Sequence, residues 1–155
     1  MSVIEPSTVM KTTEGLSKAK QVSSVMGNFL ASVHMLMNRP DYASQGTSAT
    51  GAESIGRRVE LRTPYGDVIV SGGHGRLGSD IVGIVTFTEI RLGHDGKVSS
   101  DDILKIVLNE NWHIIRIDGN PQIYNFGPNA RSNDVIEEIV LLMLWKLRCN
   151  LPEVK

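Results

Sequence analysis

The chain is poor in cysteine, in aromatic residues and in net charge, and each shortage excludes something. A single cysteine, Cys149, rules out an internal disulfide framework and a cysteine zinc cluster. Aromatic residues make up 5% of the sequence, which leaves little material for base-stacking platforms. Lys plus Arg is 16 and Asp plus Glu is 17, for a net charge of -1, so no bulk attraction to a polyanion arises. Nucleic acid is therefore not an expected partner. The densest apolar run, Ile139 to Trp145, falls far short of the roughly 20 residues that span a bilayer. No membrane span is expected. Residues Met1 to Thr8 lack a basic stretch followed by an apolar one, so no secretory signal is read there, and a cytoplasmic location is the expectation.

What is present is the composition of an ordinary globular chain. At 155 residues and 41% hydrophobic content it can bury a core without covalent staples. The sequence divides a single domain, 1–155, into three parts. Residues 1–38 hold an N-terminal amphipathic helix. Its apolar positions Val22, Met26, Phe29, Leu30, Val33, Leu36 and Met37 recur every three or four residues. Pro40 stops it. Residues 39–56 are small and polar and predict a flexible connection.

From residue 57 the period changes. Arg58 to Thr63 alternates polar with apolar, Pro64-Tyr65-Gly66 is turn chemistry, and Asp67 to Ser71 returns as a strand. Residues 72–80 carry four glycines and predict a loop. Ile81 to Leu92 is a β-branched run that suits a central strand. Ser99 reads as a helix cap, with Asp101 and Asp102 at the positive end of a helix through Leu108. Trp112 to Ile117 and Gln122 to Phe126 form a hairpin, and Ser132 opens a last helix. The expected class is α+β, with about five mostly antiparallel strands and three helices in the order α-β-β-β-α-β-β-α.

The last helix is apolar around its whole circumference at Ile139 to Trp145. Such a helix demands cover on every side, from the first helix or from a second subunit. Leu142 and Trp145, with Phe29, Val33 and Met37 on the Met-rich first helix, are the candidate residues for a partner or dimer interface. An exposed strand edge is a further candidate.

The glycine-rich segment is the most ligand-like stretch, and His74, Arg76, Ser79 and Asp80 are its candidate polar groups. It lacks the Lys-Ser/Thr of a P-loop, and strand rather than helix follows it. The four histidines show no metal-ligand spacing, and no nucleophile elbow is present. No catalytic residue, metal site or cofactor is assigned. The expected element order is similar to that of the small dimeric chaperones of bacterial type III secretion systems. The likeness is one of order alone, and the long 39–56 segment departs from it. It implies a dimeric, non-catalytic binding protein. The expectation is a chaperone, adaptor or inhibitor of a specific partner protein, as a homodimer. A small enzyme or anion-binding protein using residues 72–80, and a structural subunit of a viral, phage or secretion assembly, are the alternatives.

Overall fold

A computed structural model describes residues 3–51, 58–128 and 132–154 of the chain. The first element, α1 (Pro6–Met37), starts with Pro at the position where a missing N–H costs nothing. It ends where sequence reasoning places the stop, just before Pro40. A one-turn helix, α2 (Pro40–Ala43), follows, and then seven strands: β1 (Ser48–Thr50), β2 (Arg58–Thr63), β3 (Gly66–Leu77), β4 (Asp80–Leu92), β5 (Val98–Leu108), β6 (His113–Ile117) and β7 (Asn120–Asn125). The last helix is α3 (Ser132–Cys149). The strands lie in sequence order, β1 to β7, every neighbour antiparallel. The class is α+β as expected, with seven strands rather than about five.

Period-two alternation assigns one face of this sheet to the core. Val59 and Leu61 of β2, Val68 and Val70 of β3, Val85 and Phe87 of β4, and Ile106 and Leu108 of β5 are all buried. The α1 stripe from Val22 to Met37 covers that face, and α3 adds Ile136, Ile139, Val140, Met143 and Leu147 to the same cluster. Edge-on contacts of Phe126 with Phe29 (5.8 Å between ring centres) and with Trp112 (5.7 Å) tie α1 to the chain after β7. At Gly83 an added Cβ would stand 2.7 Å from Met26 Cγ and 2.8 Å from Leu108 Cδ1. The missing side chain is what lets α1 lie against β4.

Three local expectations are corrected. Ser99 to Leu108 is not a helix but most of β5. Phe87 of β4 faces Leu104 and Thr88 faces Asp102, so Ile103 is an extra, bulged residue of β5 and is buried next to Leu104. That adjacency imitates a helical stripe. The likeness of element order to secretion chaperones rested on a helix in this place, and the chain has a strand there.

Residues 72–77 are not a loop but the outer half of β3, paired residue by residue with β4 up to Leu77 and Asp80. At Gly75 the Ile84 side chain lies across the position a Cβ would take. Residues 39–56 are not simply a flexible connection. Residues 40–43 form α2 and 48–50 form β1, which Asn38 fastens through its side chain to Ala49 N–H and C=O, both at 2.9 Å. Residues 52–57 lie outside the described ones.

Candidate functional site

The candidate site lies where the outer face of α3 meets α2 and the β2–β3 turn. Helical spacing places Glu137, Leu141, Leu144 and Arg148 on one side of α3. The core side of α3 is turned about 110° from it, so Leu144 still packs on the margin of the core while Leu141 and Arg148 are exposed. Leu141 and Trp145 remain exposed, Trp145 at 56%. Pro64 and Tyr65, whose turn joins β2 to β3, form the facing wall. Asp41, Tyr42, Gln45 and Thr47 close the end. Together they enclose a groove of about 500 Å³.

The end wall is held by a polar network. Arg39 donates to both oxygens of Asp41, at 2.7 and 2.8 Å, and reaches Glu137 Oε2 at 3.5 Å. The Tyr42 hydroxyl donates to Glu137 Oε1 at 2.8 Å. Burial, and then this bond to a carboxylate, push the Tyr42 phenol up to about 12. The bidentate bond from Arg39 holds the Asp41 carboxyl below the usual range. Tyr42 is therefore a fixed donor across the physiological range, not a base. Asp41 is already neutralised by Arg39. The remaining charge lining the groove is Arg148, whose guanidinium carbon sits 5.3 Å from the Trp145 ring centre. Among the described residues Arg148 makes no ion pair. The groove thus presents an apolar floor, two aromatic walls and one uncompensated cation.

A second, shallower cleft on the far side of Trp145 is lined by Ile103, Leu142, Lys146 and Cys149, so the tryptophan stands as a ridge between two hollows. Leu142 is half-buried and packs against the core cluster. Phe29, Val33 and Met37, grouped with these two from the sequence, are fully buried on the face of α1 that packs into the chain's own core. Of the five interface candidates, Trp145 is the one that stands exposed.

The four candidates in 72–80 spread along the end of the β3–β4 hairpin. His74 Nε2 lies 2.9 Å from Ala19 O and 3.0 Å from Ser23 Oγ, which pins the hairpin to α1. Asp80 pairs with Lys18 of α1 at 3.6 Å. Arg76 and Ser79 are exposed, with Ser79 in the turn. This hairpin end clasps α1. Among the described residues no three His, Cys, Asp or Glu side chains gather around a point where a metal ion could sit. No helix there is long and apolar enough to cross a membrane.

Sequence reasoning missed the Arg39–Asp41–Tyr42–Glu137 network and the Tyr65 wall. Glu137 is 95 residues from Tyr42 along the chain. Only the signal that α3 was apolar all round pointed toward this face. Comparison of the chain with family models, with curated proteins and with solved structures gives no match.

Proposed function

We propose that this protein is a non-enzymatic protein-binding module, acting as an adaptor, chaperone or inhibitor, that receives an apolar segment of a protein partner in the α3 groove. The observation that carries the reading is Trp145, held on a rigid helix beside a groove of about 500 Å³ and left 56% exposed. Exposed large aromatics next to an aliphatic hollow are the usual anchors of protein contacts, because they bury much area at little entropic cost. The polar groups around the groove favour binding over chemistry. The phenol is locked by Glu137, the carboxylate is paired with Arg39, and among the described lining residues no unpaired carboxylate or imidazole faces the hollow.

The test is a comparison of two tagged proteins in lysate of the source cells, one with the native sequence and one carrying Trp145→Ala. Circular dichroism and melting temperature verify that both are folded. The reading expects a stoichiometric partner that Trp145→Ala loses, and whose purified form binds the native chain directly. A partner retained equally by both proteins would overturn it.

A further inference from the structure

The groove asks for an apolar segment carrying a negative charge, and the chain itself displays one. Upstream of Lys18, every described residue of α1 is exposed except half-buried Gly15. This portion, about 18 Å at 1.5 Å per residue, projects past the sheet as an arm. At its tip stand Val3, fully exposed, and Ile4, 43% exposed, followed by Glu5 in extended conformation. Glu5 makes no ion pair and no capping bond among the described residues. Two β-branched apolar side chains, in a bend, and a carboxylate are thus offered on three consecutive residues.

The arm cannot reach its own groove. The tip precedes α1, and the groove's Asp41 and Tyr42 follow it. The two ends of this 32-residue helix are about 48 Å apart. We infer that the Val3-Ile4-Glu5 tip of one copy seats in the α3 groove of a second copy, with Ile4 against Leu141 and Trp145 and the Glu5 carboxylate on Arg148. This rests on the groove being a protein-binding surface, as proposed above, and names its occupant. Charge complementarity selects the occupant: the cation left uncompensated in the groove meets the Glu5 carboxylate, which adjoins the exposed apolar pair Val3-Ile4. The contact joins two different surfaces. Made head-to-tail, it leaves each pair of copies with one free arm and one free groove, and copies add into rings or open chains. A structural subunit of a larger assembly uses this kind of contact.

A mixing experiment tests it, read by sedimentation over a wide concentration range. The native chain is expected to gain mass steadily with concentration, and less so at high salt. Ile4→Asp spoils the arm and Arg148→Glu spoils the groove. Both positions are exposed, and each change is expected to weaken self-association about tenfold or more. The two variants mixed together are expected to form a one-to-one dimer and stop, because one good arm and one good groove remain between them. Glu5→Lys combined with Arg148→Glu is expected to restore growth. A native chain that stays monomeric, or a dimer that neither variant weakens, overturns the inference. So does a mixture that shows no rescue, which is what a contact between two like surfaces gives. If self-association fails but Trp145→Ala still loses a different protein partner, the binding reading stands and the second-copy occupant falls.

Discussion

Replacing Gly83 by Ala tests how α1 is seated. The new Cβ would meet Met26 Cγ at 2.7 Å, Met26 Sδ at 2.8 Å and Leu108 Cδ1 at 2.8 Å. Ordinary carbon contacts lie at about 3.5–4.0 Å, so three atoms must retreat by roughly 1 Å each. Met26 and Leu108 are both fully buried, so neither can swing into solvent. Overpacking of this kind costs about 1–3 kcal/mol. Against it stands a gain of about 0.4–1 kcal/mol from the restricted unfolded chain. The net expectation is a loss of about 1–2 kcal/mol. With a urea slope of about 1–3 kcal/mol per molar, the midpoint falls by roughly 0.5–1 M. Gly73→Ala is the control, because a Cβ there has nothing within 4 Å, and no loss is expected. In a Met26→Ala background the Gly83→Ala penalty is expected to shrink, since the two residues share one contact. Equal midpoints for native, Gly83→Ala and Gly73→Ala proteins would refute the close seating of α1 on β4.

Three further outcomes follow from other contacts. Tyr42→Phe removes the donor to the partly exposed Glu137 carboxylate and is expected to cost about 1 kcal/mol at neutral pH in urea unfolding. The Tyr42 phenol is raised from 10.0 to about 12, so its contribution is complete below pH 10 and lost as pH climbs through 12. The phenol absorbance phase near pH 12 should vanish in Tyr42→Phe. Asp118 adopts φ 50, accepts from Lys105 N–H at 2.9 Å and pairs with Lys146 at 2.6 Å. Asp118→Ala is expected to cost about 1–2 kcal/mol, while Asp118→Asn, which tolerates this backbone and keeps the acceptor, costs less than about 1 kcal/mol. Arg39→Gln is expected to return the Asp41 carboxyl toward its ordinary range, seen as a rise of its titration midpoint by NMR.

The parts of the fold legible in the sequence were those whose signal is local. The α1 stripe, the Pro40 stop, the alternation of Arg58 to Thr63 and the Pro64-Tyr65-Gly66 turn all mark elements by neighbouring residues alone. The failures have physical causes. Leu104, Ile106 and Leu108 alternate as a strand should, but the bulge turns Ile103 inward as well, and Ser99 with two following aspartates mimics a helix start. The glycines of 72–78 suggested a loop, yet 72–77 pair with β4 as strand, and at Gly75 the absent side chain makes room for Ile84 across the ladder. Strand β1 has only three residues and exists through its pairing with β2 and the Asn38 clamp, neither of which sequence order announces.

The candidate site was legible in one residue. The all-round hydrophobicity of Ile139 to Trp145 pointed to Leu142 and Trp145 as outer-face residues of α3; Trp145 is exposed, and Leu142 is half-buried against the core. It could not say that Phe29, Val33 and Met37 face the sheet, because an amphipathic helix looks the same whether it covers its own core or a partner's. It also could not bring Tyr42, Tyr65 and Glu137 together.

The most direct test of a contact surface at Trp145 uses its own fluorescence. Trp112→Phe leaves Trp145 as the sole tryptophan, and Trp112 lies apart, packed on Phe126. Dilute protein is expected to emit as a solvent-exposed indole that acrylamide quenches freely. As concentration rises, or as a purified partner is added, the emission should move to shorter wavelength and the quenching should fall, with Arg148→Glu suppressing the change for self-association. An emission maximum and quenching constant unchanged under both conditions would contradict the account.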